Sequence, residues 1–183
     1  MNRNEAWALL TEYTKNPALV KHMVAVEAAM RAYARKFGED EDTWGTIGLL
    51  HDFDYERYPT REEHPFKGAE VLRGLGVDEN WIRTILSHAD YSGVRRETRR
   101  DKALFAVDEL CGFLTACALV RPDKKIATVE VASVRKKLKQ KSFAAQVSRE
   151  DITNGAADLG VDLDTHIAFV RDAMATVADQ LGL

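Results

Sequence analysis

The sequence predicts an all-α fold, a single helical bundle over residues 1–183. Three observations carry this. Apolar residues recur at three- and four-residue spacing along most of the chain. Capping and breaking residues punctuate those runs at intervals of one ordinary helix. No segment of convincing length alternates as a half-buried strand does, and there is no internal repeat.

The elements follow in order. A short first helix covers about residues 3–14. Asn16 is placed to cap a second, with Pro17 in its first turn, where a missing N–H costs nothing. Its stripe is Leu19, Met23, Val26, Met30 and Tyr33, and Gly38 ends it. A third helix runs from about Asp42 to Leu50, and the polar stretch "DYERYPTREEHP" follows. A fourth covers about 65–74 and stops at the glycines of "RGLG". Asp78 caps a fifth, about 79–90, and "YSGVRRETRR" reads as a loop. The sixth, about 100–119, is the most apolar and so the central one, closed off by Pro122. "DKKIATVEVASVRKKLKQKSF" begins β-branched and ends basic, and reads as a loop and then a helix. Ser148 caps a helix of about 149–159. The last, about 163–181, carries Ile167, Val170, Met174, Val177 and Leu181 on one face. Nothing resembles a linker between domains.

Composition bounds the function. The chain is 183 residues long, 45 % hydrophobic and 30 % charged, enough apolar material for a real core and too much for disorder. A net charge of −3 gives no general attraction to nucleic acid or anionic lipid. The start "MNRNEAWALLTEY" has no signal-like apolar run, and "LCGFLTACALV" is far short of the roughly 20 residues that span a bilayer. The expectation is a cytoplasmic protein without membrane contact. Cys111 and Cys117 lie about 9 Å apart along one helix by the 1.5 Å rise per residue, too far for a disulfide, and read as core thiols.

Polar side chains interrupt the apolar stripes. His22 sits beside Met23, between Leu19 and Val26. His51 and Asp52 close the apolar run in "IGLLHDFD". His88 follows Ile82 and Ile85, and Asp108 lies among Leu104, Phe105, Cys111 and Phe113. An unpaired buried carboxylate costs several kcal/mol, and an unbonded imidazole also costs. A lone core histidine usually satisfies itself on a backbone carbonyl. Several on separate helices are answered together if they converge on a cation. Imidazole and carboxylate suit Mn²⁺, Fe²⁺, Co²⁺, Ni²⁺ or Zn²⁺, and helical bundles build such sites by aiming ligands inward. Neighbours such as His51 and Asp52 cannot face one way within a helix, but at a helix end both can reach the same cluster. His64, opening "HPFKGAEVL", is a further candidate. His166, at the edge of the last stripe, reads as structural or exposed.

The order His22, His51-Asp52, Asp108 resembles the HD superfamily of metal-dependent phosphohydrolases over about residues 17–120. The resemblance implies an HD-type bundle with that metal-binding core and a C-terminal helical extension over 121–183. It implies one metal on His22, His51, Asp52 and Asp108. "HPFKGAEVL" followed by "ILSHAD" is similar to the segment that adds two ligands in binuclear members, among them diadenosine-polyphosphate hydrolases and cyclic-dinucleotide phosphodiesterases. By position, His64 and His88 would hold a second ion and Asp52 would bridge the two. Two departures argue against cyclic-dinucleotide cleavage. "HADYSGVRR" stands where that branch carries GYP, and Tyr55 stands where many binuclear members have Lys.

The reading is a phosphohydrolase that uses one or two divalent ions and metal-activated water on a phosphoester or phosphoanhydride of a nucleotide or small phosphorylated metabolite. No Ser-His-Asp or Cys-His arrangement competes. The expected catalytic residues are His51, Asp52 and Asp54, the last, like Glu56, close enough in sequence to serve as a general acid. Lys67, Arg121, Lys124 and Lys125 are expected to meet substrate phosphates, with Arg95, Arg96 and the basic run at 135–141 as further cations. That run lacks interleaved aromatics, so nucleic acid is not expected as a partner. Two other classes fit the same ligands: an HD-type di-iron oxygenase, and a non-catalytic metal- or nucleotide-binding module. The sequence leaves monomer or homodimer open.

Overall fold

The computed structural model describes residues 1–183 as ten α-helices with no strand. The first helix, α1 (Arg3–Tyr13), is opened by a capping box in which Asn2 accepts the Glu5 N–H and Glu5 accepts the Asn2 N–H. Next, α2 (Pro17–Phe37) is capped by Asn16 and closed by Gly38, whose φ of 72° lies in the left-handed region that glycine adopts freely. Asp40 caps α3 (Glu41–Leu50) by accepting the Thr43 N–H. After α4 (Phe66–Gly74) and α5 (Glu79–Ser87), the long α6 (Arg99–Leu119) opens on a Thr98–Asp101 capping box. Beyond a loop come α7 (Val131–Leu138), α8 (Arg149–Leu159), α9 (Leu163–Ala175) and the single turn α10 (Ala178–Leu181).

Two expected helices are shorter than their apolar stripes. The fifth stops at Ser87, and His88 is its C-cap, with its N–H turned back to Ile85 and Leu86. The last breaks at Thr176 and Val177, where Val177 leaves helical geometry at φ −122°, ψ 20°. Val177 and Leu181 keep to the core because α10 resumes beside α2.

One apolar core draws on residues from Ala6 to Leu181. At its centre α2 packs on α3 and α6, and α8 packs along α6. Glycines make the closest approaches. A Cβ on Gly48 of α3 would stand 3.1 Å from the Val26 carbonyl oxygen of α2. One on Gly155 of α8 would stand 2.7 Å from the Ala106 Cα of α6. The same Ala106 meets α9, where its carbonyl accepts the His166 Nε2–H at 2.9 Å while the Tyr33 hydroxyl donates to Nδ1 at 2.6 Å. His166 is therefore a buried, neutral core residue, with burial holding its pKa down. Cys111 and Cys117 are buried free thiols, and burial raises Cys117 to about 11. No helix is long and apolar enough to cross a membrane.

The loop between α7 and α8 is organised by one side chain. The Arg149 guanidinium donates to the carbonyls of Ala144 and Val147 at 2.6 and 2.5 Å, and also to those of Gln140 and Phe143. This fixes a turn in which Ala144 takes a φ of 42°, a conformation a side chain adopts only when its surroundings impose it.

Candidate metal centre

The chain turns where α3 ends, and the turn separates the directions of neighbouring side chains. His51 is the helical C-cap of α3, and its Nδ1–H donates to the Gly48 carbonyl at 2.8 Å. His88 ends α5 in the same manner, donating from Nδ1 to the Ile85 carbonyl. His64 donates from Nδ1 to Asp54 at 2.9 Å. Each bond fixes the tautomer that leaves the Nε2 lone pair free, and the three lone pairs face one region.

Two groups result. His22, His51 and Asp108 bring one ligand atom each within 4.8 Å of the others, and so do Asp52, His64 and His88. Asp108 Oδ1 lies 3.0 Å from His22 Nε2 and 3.3 Å from His51 Nε2. Asp52 stands between the groups. Its Oδ2 is 3.6 Å from His51 Nε2, and its Oδ1 is 3.2 and 3.0 Å from the Nε2 atoms of His64 and His88.

The His22–Asp108 contact is a hydrogen bond, but those made by His51 Nε2 and Asp52 Oδ1 are close yet badly aligned for one. His51 Nε2 and Asp52 Oδ1 are buried without a hydrogen-bond partner despite their short distances to neighbours. The Nε2 atoms of His64 and His88 face each other at 3.3 Å, an arrangement two lone pairs tolerate only with a proton or cation beside them. Orphaned buried donor atoms, imidazoles in the coordinating tautomer and two carboxylates together fit one or two divalent transition ions.

The two groups sit on the wall of a cavity of about 710 Å³. Tyr55, Arg61 and Tyr91 line it beside His64 and His88. Glu109, Gln146, Ser148 and Asp151 line its other side. Burial and the neighbouring Asp108 raise Glu109 to about 7, although it accepts the Ser148 N–H.

The family model of the HD domain matches residues 19–112. The chain belongs to the HD domain family. Members of this family are mostly metal-dependent hydrolases that bind divalent metals. All six grouped residues fall within the HD domain, whereas Gln146, Ser148 and Asp151 of the cavity lie beyond it. No solved structure matches the chain significantly.

Some expected site residues lie elsewhere. Asp54 does not face the cavity. Its two oxygens are taken by His64 Nδ1–H and by the Gly68 N–H at 2.8 Å, so it positions a histidine and is not free to protonate a leaving group. A Cβ on Gly68 would meet the Asp54 carboxyl carbon at 2.7 Å, which accounts for the glycine in "HPFKGAEVL". Lys67, Arg121, Lys124 and Lys125 are also off the cavity wall. Lys67 is bound to Glu70 on the exposed side of α4. Arg121 is bound to Asp123 beyond the end of α6, roughly 20 Å along the axis from Asp108 by the 1.5 Å rise, and Lys124 and Lys125 share that turn. Arg61, Tyr91, Glu109 and Gln146 went unnoticed in the sequence. Only Glu109, next to Asp108 on the central helix, carried a signal there.

In the metal-free protein the cluster is an ion network. Burial disfavours charge on His51, but Asp52 and Asp108 outweigh it and lift its pKa to about 9. His64 reaches about 9 likewise, burial opposing and Asp52 and Asp54 prevailing. Burial pushes Asp52 and Asp108 upward, yet the imidazoles, led by His51, hold both well below the usual carboxylate range. Histidines raised above their unfolded value of about 6.5 stabilise the fold fully below that pH and cease to do so by about pH 9. The depressed carboxylates contribute above about pH 4 and lose their effect in acid. Chelated protein is therefore expected to melt highest between about pH 4 and 6.5 and to lose melting temperature toward pH 9. Divalent metal, which takes the place of the protons, is expected to remove that alkaline loss. Thermal melts in EDTA and in Mn²⁺ or Zn²⁺ across about pH 5 to 9 check this, and a flat profile in EDTA would contradict it.

Proposed function

We propose that this HD protein is a metal-dependent phosphohydrolase cleaving a phosphoester or phosphoanhydride in a nucleotide or another small phosphorylated metabolite. The observation that carries the reading is Asp52, which stands between two His/Asp groups with a buried oxygen left without a hydrogen bond. His22, His51, Asp52 and Asp108 would hold the first ion, and Asp52, His64 and His88 the second. The ions, from among Mn, Fe, Co, Ni and Zn, would offset charge on a phosphoryl oxygen and acidify a water molecule.

The chain's own part is to aim and to shelter. Gly48, Ile85 and Asp54 hold three imidazoles with Nε2 toward the centre. The cavity holds no cysteine, and its Ser148 hydroxyl is occupied in capping α8, which supports water rather than a side chain as nucleophile.

The test is elemental analysis of protein purified without added chelator or metal, followed by a metal-loaded assay over nucleotides and phosphoesters. Stoichiometric metal with turnover supports the proposal. Stoichiometric iron with a mixed-valence signal and oxygen uptake would move the protein to the di-iron oxygenases. Full metal with no reaction would leave a binding module. His88→Ala is expected to lower the metal content by one ion per chain, and unchanged content would refute the two-ion arrangement.

A further inference from the structure

A cavity that admits a phosphorylated substrate here presents that substrate with an acidic wall. Asp52 and Asp108 belong to the candidate metal centre, and Glu109 and Asp151 add carboxylates on the other side. Arg61 is the one lysine or arginine on the lining. It stands on the turn between Asp54 and His64 and is exposed at the mouth.

Four other cations nearby are occupied. Arg96 is held by Asp90 and the Ser87 carbonyl, Arg149 by the carbonyls of its loop, Arg57 by the Glu12 carbonyl, and Lys67 by Glu70. Arg61 makes no ion pair or hydrogen bond within the protein. Its guanidinium carbon lies instead 5.3 Å from the centre of the Tyr91 ring.

A free guanidinium in an acidic cavity would ordinarily fold onto a carboxylate. Resting on an aromatic ring leaves its charge unpaired and the edge of the planar fork open. That edge matches the spacing of two oxygens on a phosphoryl group. The neighbouring carboxylates repel an anion, so a contact of this kind is what phosphate binding at the mouth requires beyond the metal centre.

We propose that Arg61, seated on Tyr91, is a substrate-binding residue that grips phosphoryl oxygens at the mouth of the cavity. The inference rests on the phosphohydrolase reading but is tested separately from it. Inorganic phosphate is titrated calorimetrically into metal-loaded wild type, Arg61→Ala, Arg61→Lys and Arg73→Ala, the last removing one positive charge from an ion pair with Glu79 on α4 and α5. The dissociation constant is expected to rise about tenfold in Arg61→Ala, to rise less in Arg61→Lys and to stay unchanged in Arg73→Ala. Metal content should be the same in all four. With a turnover substrate, KM should rise by a similar factor while kcat stays within about threefold.

Equal phosphate affinity in wild type and Arg61→Ala overturns the proposal, as does wild type that binds no phosphate. Loss of phosphate affinity together with loss of metal also overturns it, because Arg61 would then be acting on the metal centre. Arg61-dependent phosphate binding in a protein that hydrolyses nothing upholds this inference and refutes the hydrolase.

Discussion

On the proposed reading, Asp52→Ala is expected to empty the candidate metal centre and abolish metal-dependent turnover while leaving the helical content intact. The reason is the position of the carboxylate. Asp52 is the side chain that reaches His51 with one oxygen and His64 and His88 with the other. Removing a group that merely orients a ligand typically costs 10–100-fold in metal affinity, so losing a carboxylate shared by two groups should cost more than roughly 100-fold. The backbone has little reason to respond, since residue 52 lies in the turn after α3 and not within a helix. Elemental analysis and circular dichroism on the purified variant check both halves. Wild-type metal content and activity in Asp52→Ala would remove the metal role assigned here.

Gly155→Val is expected to destabilise the fold markedly although it lies outside that centre. Even the first added carbon would stand 2.7 Å from the Ala106 Cα and 3.3 Å from its nitrogen, and these are backbone atoms of the central helix that cannot swing aside. Overpacking of this kind costs about 1–3 kcal/mol or more, and replacing a helical glycine returns well under 1 kcal/mol when the new residue is β-branched. A net loss of about 2 kcal/mol should lower the melting temperature by roughly 4–8 °C. The displacement should also reach the cavity, because Ser148 and Asp151 at the start of α8 line it, and the His166–Ala106 bond lies at the same point. A melting temperature within about 1 °C of wild type would show that α8 relaxes freely away from α6.

Local chemistry made most of the helices legible. Asn16, Asp78 and Ser148 cap the helices that follow them, and these caps are short-range features. The meeting of His22, His51, Asp52, His88 and Asp108 was legible for a related reason, since each broke an apolar stripe whose direction was already known. Residues on irregular backbone escaped that logic. The position of Gln146 depends on a loop held by Arg149 through carbonyl groups, which have no sequence signature. Asp54 looked like a spare acid beside the pair because its commitment to His64 and the Gly68 N–H is a contact between separate segments. Lys67 looked suitable by sequence proximity, yet it lies on the outward side of α4, while Arg61 reaches the cavity from a loop with no period to read.

The cavity wall has two origins along the chain. The side with the grouped histidines and aspartates comes from the matched region, and Gln146, Ser148 and Asp151 come from a short stretch beyond it. Substitutions in that later stretch would therefore reshape part of the chamber wall while leaving the six grouped residues in place.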